Sequence, residues 1–250
     1  MNDIVYHYTS FEVLRKILMS SKLRFSKMNS LNDRSEYHYG IQLLKNKIIE
    51  YEIKNNITNK FDSELLEKFS FPNNLFSVSF TKNGDDLAFW NSYYVDKTMA
   101  VCIGFIKDKV FDSNYIINRC IYGDPYPPMS RERYIWFTEI FKHQNILQLS
   151  KNREYIQITF QTAHIKNKAF EIEQELRAVS FDVNGNESGK FMRNGKEVEF
   201  FDQKFNLDSI HEIIIGPSSL QNDNYLQVEE LIKDKMIKCS LKKSVIPLEL

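Results

Sequence analysis

Four groups of residues in this chain have types and spacings that can do chemistry. The first is Tyr6-His7-Tyr8-Thr9-Ser10, where an imidazole, two phenols and two hydroxyls lie between a short apolar strand, Ile4-Val5, and a helix on which Phe11, Leu14, Ile17 and Leu18 recur at helical spacing. Thr9 and Glu12 are placed as a capping box that would start the helix at Ser10. A helix N-terminus favours oxygen-rich ligands, and a strand-borne His7 beside it can donate a directed hydrogen bond, so this junction suits one wall of a nucleotide pocket. An ordinary cap beside a satisfied histidine has the same sequence.

The second group is Ser77-x-Ser79-Phe80-Thr81, whose alternation puts three hydroxyls on one strand face, where they could bond a ribose or meet water at a sheet edge. The third is Trp90, Tyr93 and Tyr94, at i, i+3 and i+4 on one helix face; they could stack on a base or a nicotinamide, or fill the core. The fourth is Glu171-x-Glu173-x-Glu175-x-Arg177. On a strand its three carboxylates share a face and repel, which a catalytic carboxylate would justify; at the end of a helix they would fan out as ordinary surface. Asn32-Asp33 followed by Glu36 reads as a helix N-cap, and His38, His143, His164 and His211 lack metal-ligand spacing. No G-x-G-x-x-G, P-loop or G-x-S-x-G is present.

The elements that must position these groups alternate between strand and helix. Leu23 to Ser26 reads as a strand, and Tyr37, Ile41, Leu44, Ile48 and Tyr51 as the stripe of a long helix. Ser63 to Phe69 is a short helix before the Leu75–Thr81 strand, and Gly84-Asp85-Asp86 opens the helix of Trp90. Met99 to Phe105 is apolar nearly throughout and should be a central strand. Tyr115 to Tyr122 reads as one strand, ended by a loop with three prolines, and Ile135 to Leu147 and Glu154 to His164 as helices. Strands are expected at Leu176 to Phe181, Glu197 to Phe201 and Ile210 to Ile215, with a hairpin through Asn184 to Gly195 and a helix over Asn224 to Lys235. The expected class is α+β, a mixed, mainly antiparallel sheet with flanking helices, in one domain over 1–250.

The 33 basic residues balance the 33 acidic ones, so the net field offers no long-range attraction to nucleic acid or anionic membrane. Cys102, Cys120 and Cys239 are odd in number and widely spaced, which suits buried thiols in a reducing cytoplasm better than a disulfide framework. No apolar run approaches the ~20 residues of a spanning helix, and no signal-peptide pattern is present, so a cytoplasmic protein is expected.

Together, Tyr6 to Ser26, Leu31 to Glu36, Ser77 to Trp90 and Glu173 to Arg177 resemble a widespread bacterial family of uncharacterised domains with His-Tyr-Thr, Leu-Asn-Asp-x-x-Glu, Ser-Phe-Ser/Thr, Trp-x-x-Tyr and Glu-x-Glu-x-Arg signatures. More distantly, the chain resembles the ADP-ribosyltransferase-like superfamily. That resemblance implies a split sheet clamping NAD as substrate. It implies that His7, with Tyr8 and Thr9, contacts the adenosine-side ribose, that Ser79, Trp90, Tyr93 and Tyr94 lie near the nicotinamide, and that Arg177 lines the site. Glu175 or Glu173 would be the catalytic carboxylate, and His7 would belong to the same machinery. The middle strand departs from the Ser-Thr-Ser or Tyr pattern of many transferases. The implied activity is NAD-dependent ADP-ribosyl transfer to a nucleic-acid or protein acceptor by an intracellular toxin or antiphage effector, with an antitoxin or chaperone as a possible partner. The alternative is a catalytically silent nucleotide-binding module of the same fold.

Overall fold

A computed structural model describes residues 3–28, 35–62, 64–69, 75–93, 100–112, 115–142, 153–181, 187–193 and 195–247. The Asn32-Asp33 cap and Tyr94 lie outside the described residues. Strand β1 (Ile4–Ser10) runs straight into α1 (Phe11–Ser20). The cap is Ser10, whose Oγ accepts the Val13 amide at 3.3 Å, and not Thr9, which stays buried on the strand. The helix stops at Ser21, which takes a left-handed conformation at φ 53° and returns its N–H to Ile17.

There follow β2 (Lys22–Lys27), α2 (Ser35–Lys54), α3 (Glu64–Phe69), β3 (Leu75–Thr81), α4 (Leu87–Tyr93) and β4 (Ala100–Ile106). The strand expected from Tyr115 to Tyr122 is two, β5 (Ile117–Arg119) and β6 (Ile121–Tyr122). The break has a hydrogen-bonding cause: the Cys120 amide still donates to Glu175, while the next one, Ile121, donates to His164 and carries the chain to another partner. Helices α5 (Arg131–Lys142) and α6 (Arg153–Thr162), β7 (Ile165–Lys166), a 3-10 turn (Lys168–Glu173) and β8 (Glu175–Phe181) come next. The hairpin is β9 (Glu187–Arg193) and β10 (Lys196–Lys204), and β11 (Ile210–Ile215), α7 (Gln221–Asp234) and β12 (Ser240–Lys243) close the described chain.

The sheet forks at β3. One edge of β3 pairs with β8 along its whole length, from Leu75↔Phe181 to Thr81↔Glu175. Its other edge takes β2 at the start, Ser26↔Ser77, and β1 at the end, Tyr6↔Thr81. One arm continues through β1, β4, β11 and β12, and the other through β2, β10 and β9. All pairings are antiparallel except β11 with β12 and the separate β6–β7 pair, so the class is α+β with a mixed, mainly antiparallel sheet and flanking helices. Strand β4 is central, between β1 and β11, and its first six residues are all buried, as its unbroken apolar run requires.

Period-two alternation divides the side chains between the two faces of the sheet, on which three apolar clusters form. On one face α1 (Leu14, Ile17, Leu18) and α7 (Val228, Ile232) pack on Val5, Phe80, Ile103, Ile213, Leu176 and Ala178. On the other, Trp90 of α4 packs with Tyr8, Cys102 and Ile214, while Leu44 and Ile48 of α2, Phe137 of α5 and Ile158 of α6 cover Leu75 and Val179.

Candidate functional site

Strand alternation places the charged cluster. Because Tyr6, Thr81 and Glu175 are directly opposite one another across β1, β3 and β8, their side chains share a face, and Ser77, Ser79 and Arg177 share it too. There Lys166, almost wholly buried, donates from Nζ to Glu173 Oε2 at 2.6 Å and to Glu175 Oε2 at 2.5 Å. Arg177 grips the same carboxylate from the other side, Nε to Oε1 at 2.5 Å and Nη2 to Oε2 at 3.0 Å, and donates from Nη1 to the Ala163 carbonyl at 2.9 Å. Burial alone would raise the Glu175 carboxyl, but Arg177 and then Lys166 outweigh it and hold it at about 2. The Glu175 amide donates to Tyr122 Oη at 2.7 Å.

Of the two arrangements open to the three carboxylates, a shared strand face or a fanned helix end, the shared strand face is not the one adopted. Glu171 and Glu173 belong to the 3-10 turn, capped by Asn167 and ended by Gln174 in a left-handed conformation at φ 41°; the strand starts only at Glu175. The turn separates their roles. The Glu175 side chain is 7 % exposed and both its oxygens are engaged, whereas the Glu173 side chain is 36 % exposed and holds Lys166 through one oxygen. Thr81 Oγ1 fixes the Glu173 backbone, donating to its carbonyl at 2.9 Å.

His7 points the other way. It lies with Val5 and Thr9 on the face of α1 and α7, its ring 5.9 Å from that of Phe80, and stands at the fork, where Nδ1 is 2.9 Å from the Ser79 carbonyl oxygen. A carbonyl only accepts, so Nδ1 carries the proton. Burial lowers the imidazole pKa more than this bond raises it, so the ring is neutral and Nε2 is left as an acceptor. The directed bond expected of His7 is thus donated within the protein, and what the ring can offer a ligand is a lone pair.

Several expected ligand contacts serve packing instead. Tyr8 is 4 % exposed, stacks on Phe89, meets Trp90 edge-on and donates to the Asn83 carbonyl at 2.9 Å. Trp90 is fully buried and donates from Nε1 to Asp85 Oδ1 at 2.7 Å, so it presents no face to a base. Arg177 is committed to Glu175 and the backbone. The side chain of Tyr93 lies outside the described residues. Along the hydroxyl row, Thr81 is used by Glu173, Ser77 Oγ is buried without a partner, and Ser79 is partly exposed. The structure thus brings Ser79, Thr81, Glu173, Glu175 and Arg177 to one face and leaves His7 and Thr9 on the other.

Sequence reasoning missed Lys166 and Tyr122. A lone lysine or tyrosine in a two-residue strand carries no periodic signal, and its partners are set by β6 pairing with β7 beside β8. Among the described residues no helix is long and apolar enough to cross a membrane, and no group of three His, Cys, Asp or Glu side chains is arranged to hold a metal ion. A cleft of about 470 Å³ opens away from the fork, between α2, α5, α6 and the loop after β6, and none of the expected site residues whose side chains are described lines it. No family model matches the chain, and no curated protein matches it either.

Proposed function

We propose that the chain is an NAD-dependent ADP-ribosyltransferase, with Glu173 as the carboxylate that meets the nicotinamide ribose. The observation that supports this reading is the fork beside an acidic pair in which one member is saturated by buried cations and the other faces solvent. Cleaving the nicotinamide bond builds positive charge on the ribose ring, and a carboxylate hydrogen-bonded to a ribose hydroxyl stabilises that charge more than it stabilises the ground state. Glu175 neutralises Arg177 and shares Lys166, so a single shared ammonium opposes Glu173, while Lys166 and the Thr81 bond keep its carboxylate in place. Ser79, on the same face and level with Arg177, is a partly exposed hydroxyl. The acceptor in this reading is a nucleic acid or a protein, and the setting is an intracellular bacterial toxin or antiphage effector, in which a neutralising antitoxin or chaperone is a natural partner.

The test is incubation with labelled NAD and total cell lysate, followed by separation of protein, RNA and DNA. Glu173→Gln should abolish label transfer and NAD cleavage while melting like the wild type; full activity in this variant removes the assignment. A second reading, a silent nucleotide-binding module, is favoured by the saturation of Glu175 and by His7 facing away from it. Calorimetry that detects NAD binding without cleavage in any extract would select it.

A further inference from the structure

The cleft of about 470 Å³ has the size of a small-ligand site. One wall is the loop after β6. Pro125, Pro127 and Pro128 restrict its backbone, the Tyr126 amide donates to Asp124 Oδ1 at 2.9 Å, and Lys47 of α2 pairs with Asp124 at 2.8 Å. Tyr126 spends its hydroxyl on Thr162 at 3.2 Å and so offers the cleft its ring. The loop wall is therefore preformed.

The other walls are two helix faces. On α5, Arg133, Trp136 and Phe137 recur at i, i+3 and i+4; on α6, Gln157 and Gln161 recur at i, i+4. Trp136 is partly exposed and packs edge-on against Phe137, which fixes the plane of the indole. The amides of Gln157 and Gln161 and the guanidinium of Arg133 have no hydrogen-bond or ion-pair partner among the described residues. The neighbouring acid, Glu132, also lines the cleft as an exposed carboxylate drawn to the helix start by its own backbone amide and by Ser130, and Arg133 is the one cation among the lining residues. Aromatic surface for stacking, two adjacent carboxamides that both donate and accept, and one free guanidinium describe a single ligand chemistry: a flat heteroaromatic ring with a hydrogen-bonding edge and an attached anion.

We propose that this cleft binds a nucleoside monophosphate, the base stacked on Trp136 with its edge read by Gln157 and Gln161, and the phosphate on Arg133. No residue of the Lys166–Glu175 network lines the cleft, so the proposal stands apart from the transferase reading. Trp136 can be watched directly, because the other tryptophan, Trp90, is fully buried. Titrating the full chain with AMP, GMP, CMP and UMP should give saturable quenching for at least one of them, with a Kd below about 1 mM. Arg133→Ala should weaken that nucleotide about tenfold and leave the matching nucleoside unchanged. Gln161→Ala should weaken both about fivefold. Both substituted residues are exposed, so the variants keep the fold. The proposal is overturned if none of the four nucleotides saturates below about 1 mM, or if the nucleotide Kd is the same in wild type and Arg133→Ala.

Discussion

Glu175→Gln tests the reading of the charged cluster most severely, because it keeps the shape of the side chain and removes the charge that Lys166 and Arg177 share. Two routes give its magnitude. Breaking a buried pair by removing one partner costs about 3–5 kcal/mol, since the remaining cations stay buried without compensation. Independently, the Glu175 carboxyl is held at about 2 against an ordinary 4.5, a displacement worth roughly 3 kcal/mol of folding stability. The folded pKa is the lower one, so this contribution is complete above pH 4.5 and is lost as pH falls from there to about 2. Urea unfolding at pH 7 should therefore find the variant about 3–5 kcal/mol less stable than wild type, and the gap should narrow steadily as the titration moves from pH 4.5 toward pH 2. A variant within about 1 kcal/mol of wild type at pH 7, or a gap that is flat across the acid range, would mean that the cations do not depend on this carboxylate. Glu173→Gln in the same series should barely move stability, because its side chain is partly exposed and its hold on Lys166 is duplicated by Glu175.

Four other substitutions probe the frame around the site. Ser10→Ala should cost about 1 kcal/mol in chemical denaturation by removing the acceptor for the Val13 amide, whereas Thr9→Ala should leave helix capping untouched. Asp85→Ala should loosen the C-terminal segment, because Asp85 accepts from Trp90 Nε1, Ser244 Oγ and the Val245 amide; carboxypeptidase should then trim the chain faster than in wild type, and equal rates would refute the clamp. Gly216→Ala should destabilise by about 1–3 kcal/mol, since an added Cβ would lie 2.8 Å from the Ala100 carbonyl and 3.0 Å from the buried Trp90 ring; a melting temperature equal to wild type would show that β4 and β11 can part there.

The residue patterns that proved readable are those whose meaning is local. Ser77, Ser79 and Thr81 share a face because β3 is a regular strand, and β4 lies inside the sheet because both its faces are apolar. The same alternation, applied to β1, separates His7 from Tyr8, and taking His-Tyr-Thr as one chemical unit set that rule aside. Glu-x-Glu-x-Arg failed for a different reason. Period two holds only while the backbone is extended, and the left-handed Gln174 ends it between the two glutamates, so one turns inward to Arg177 and the other outward. Which of the two stays accessible is decided by Lys166, a residue with no pattern of its own, brought in when β7 pairs with β6 beside β8. A buried lysine needs carboxylates, and the carboxylate it shares with an arginine is consumed in meeting that need. The accessible acid is consequently the one that the turn, and not the strand, provides: Glu173 keeps an oxygen without a partner among the described residues because Glu175 carries the larger part of the buried charge.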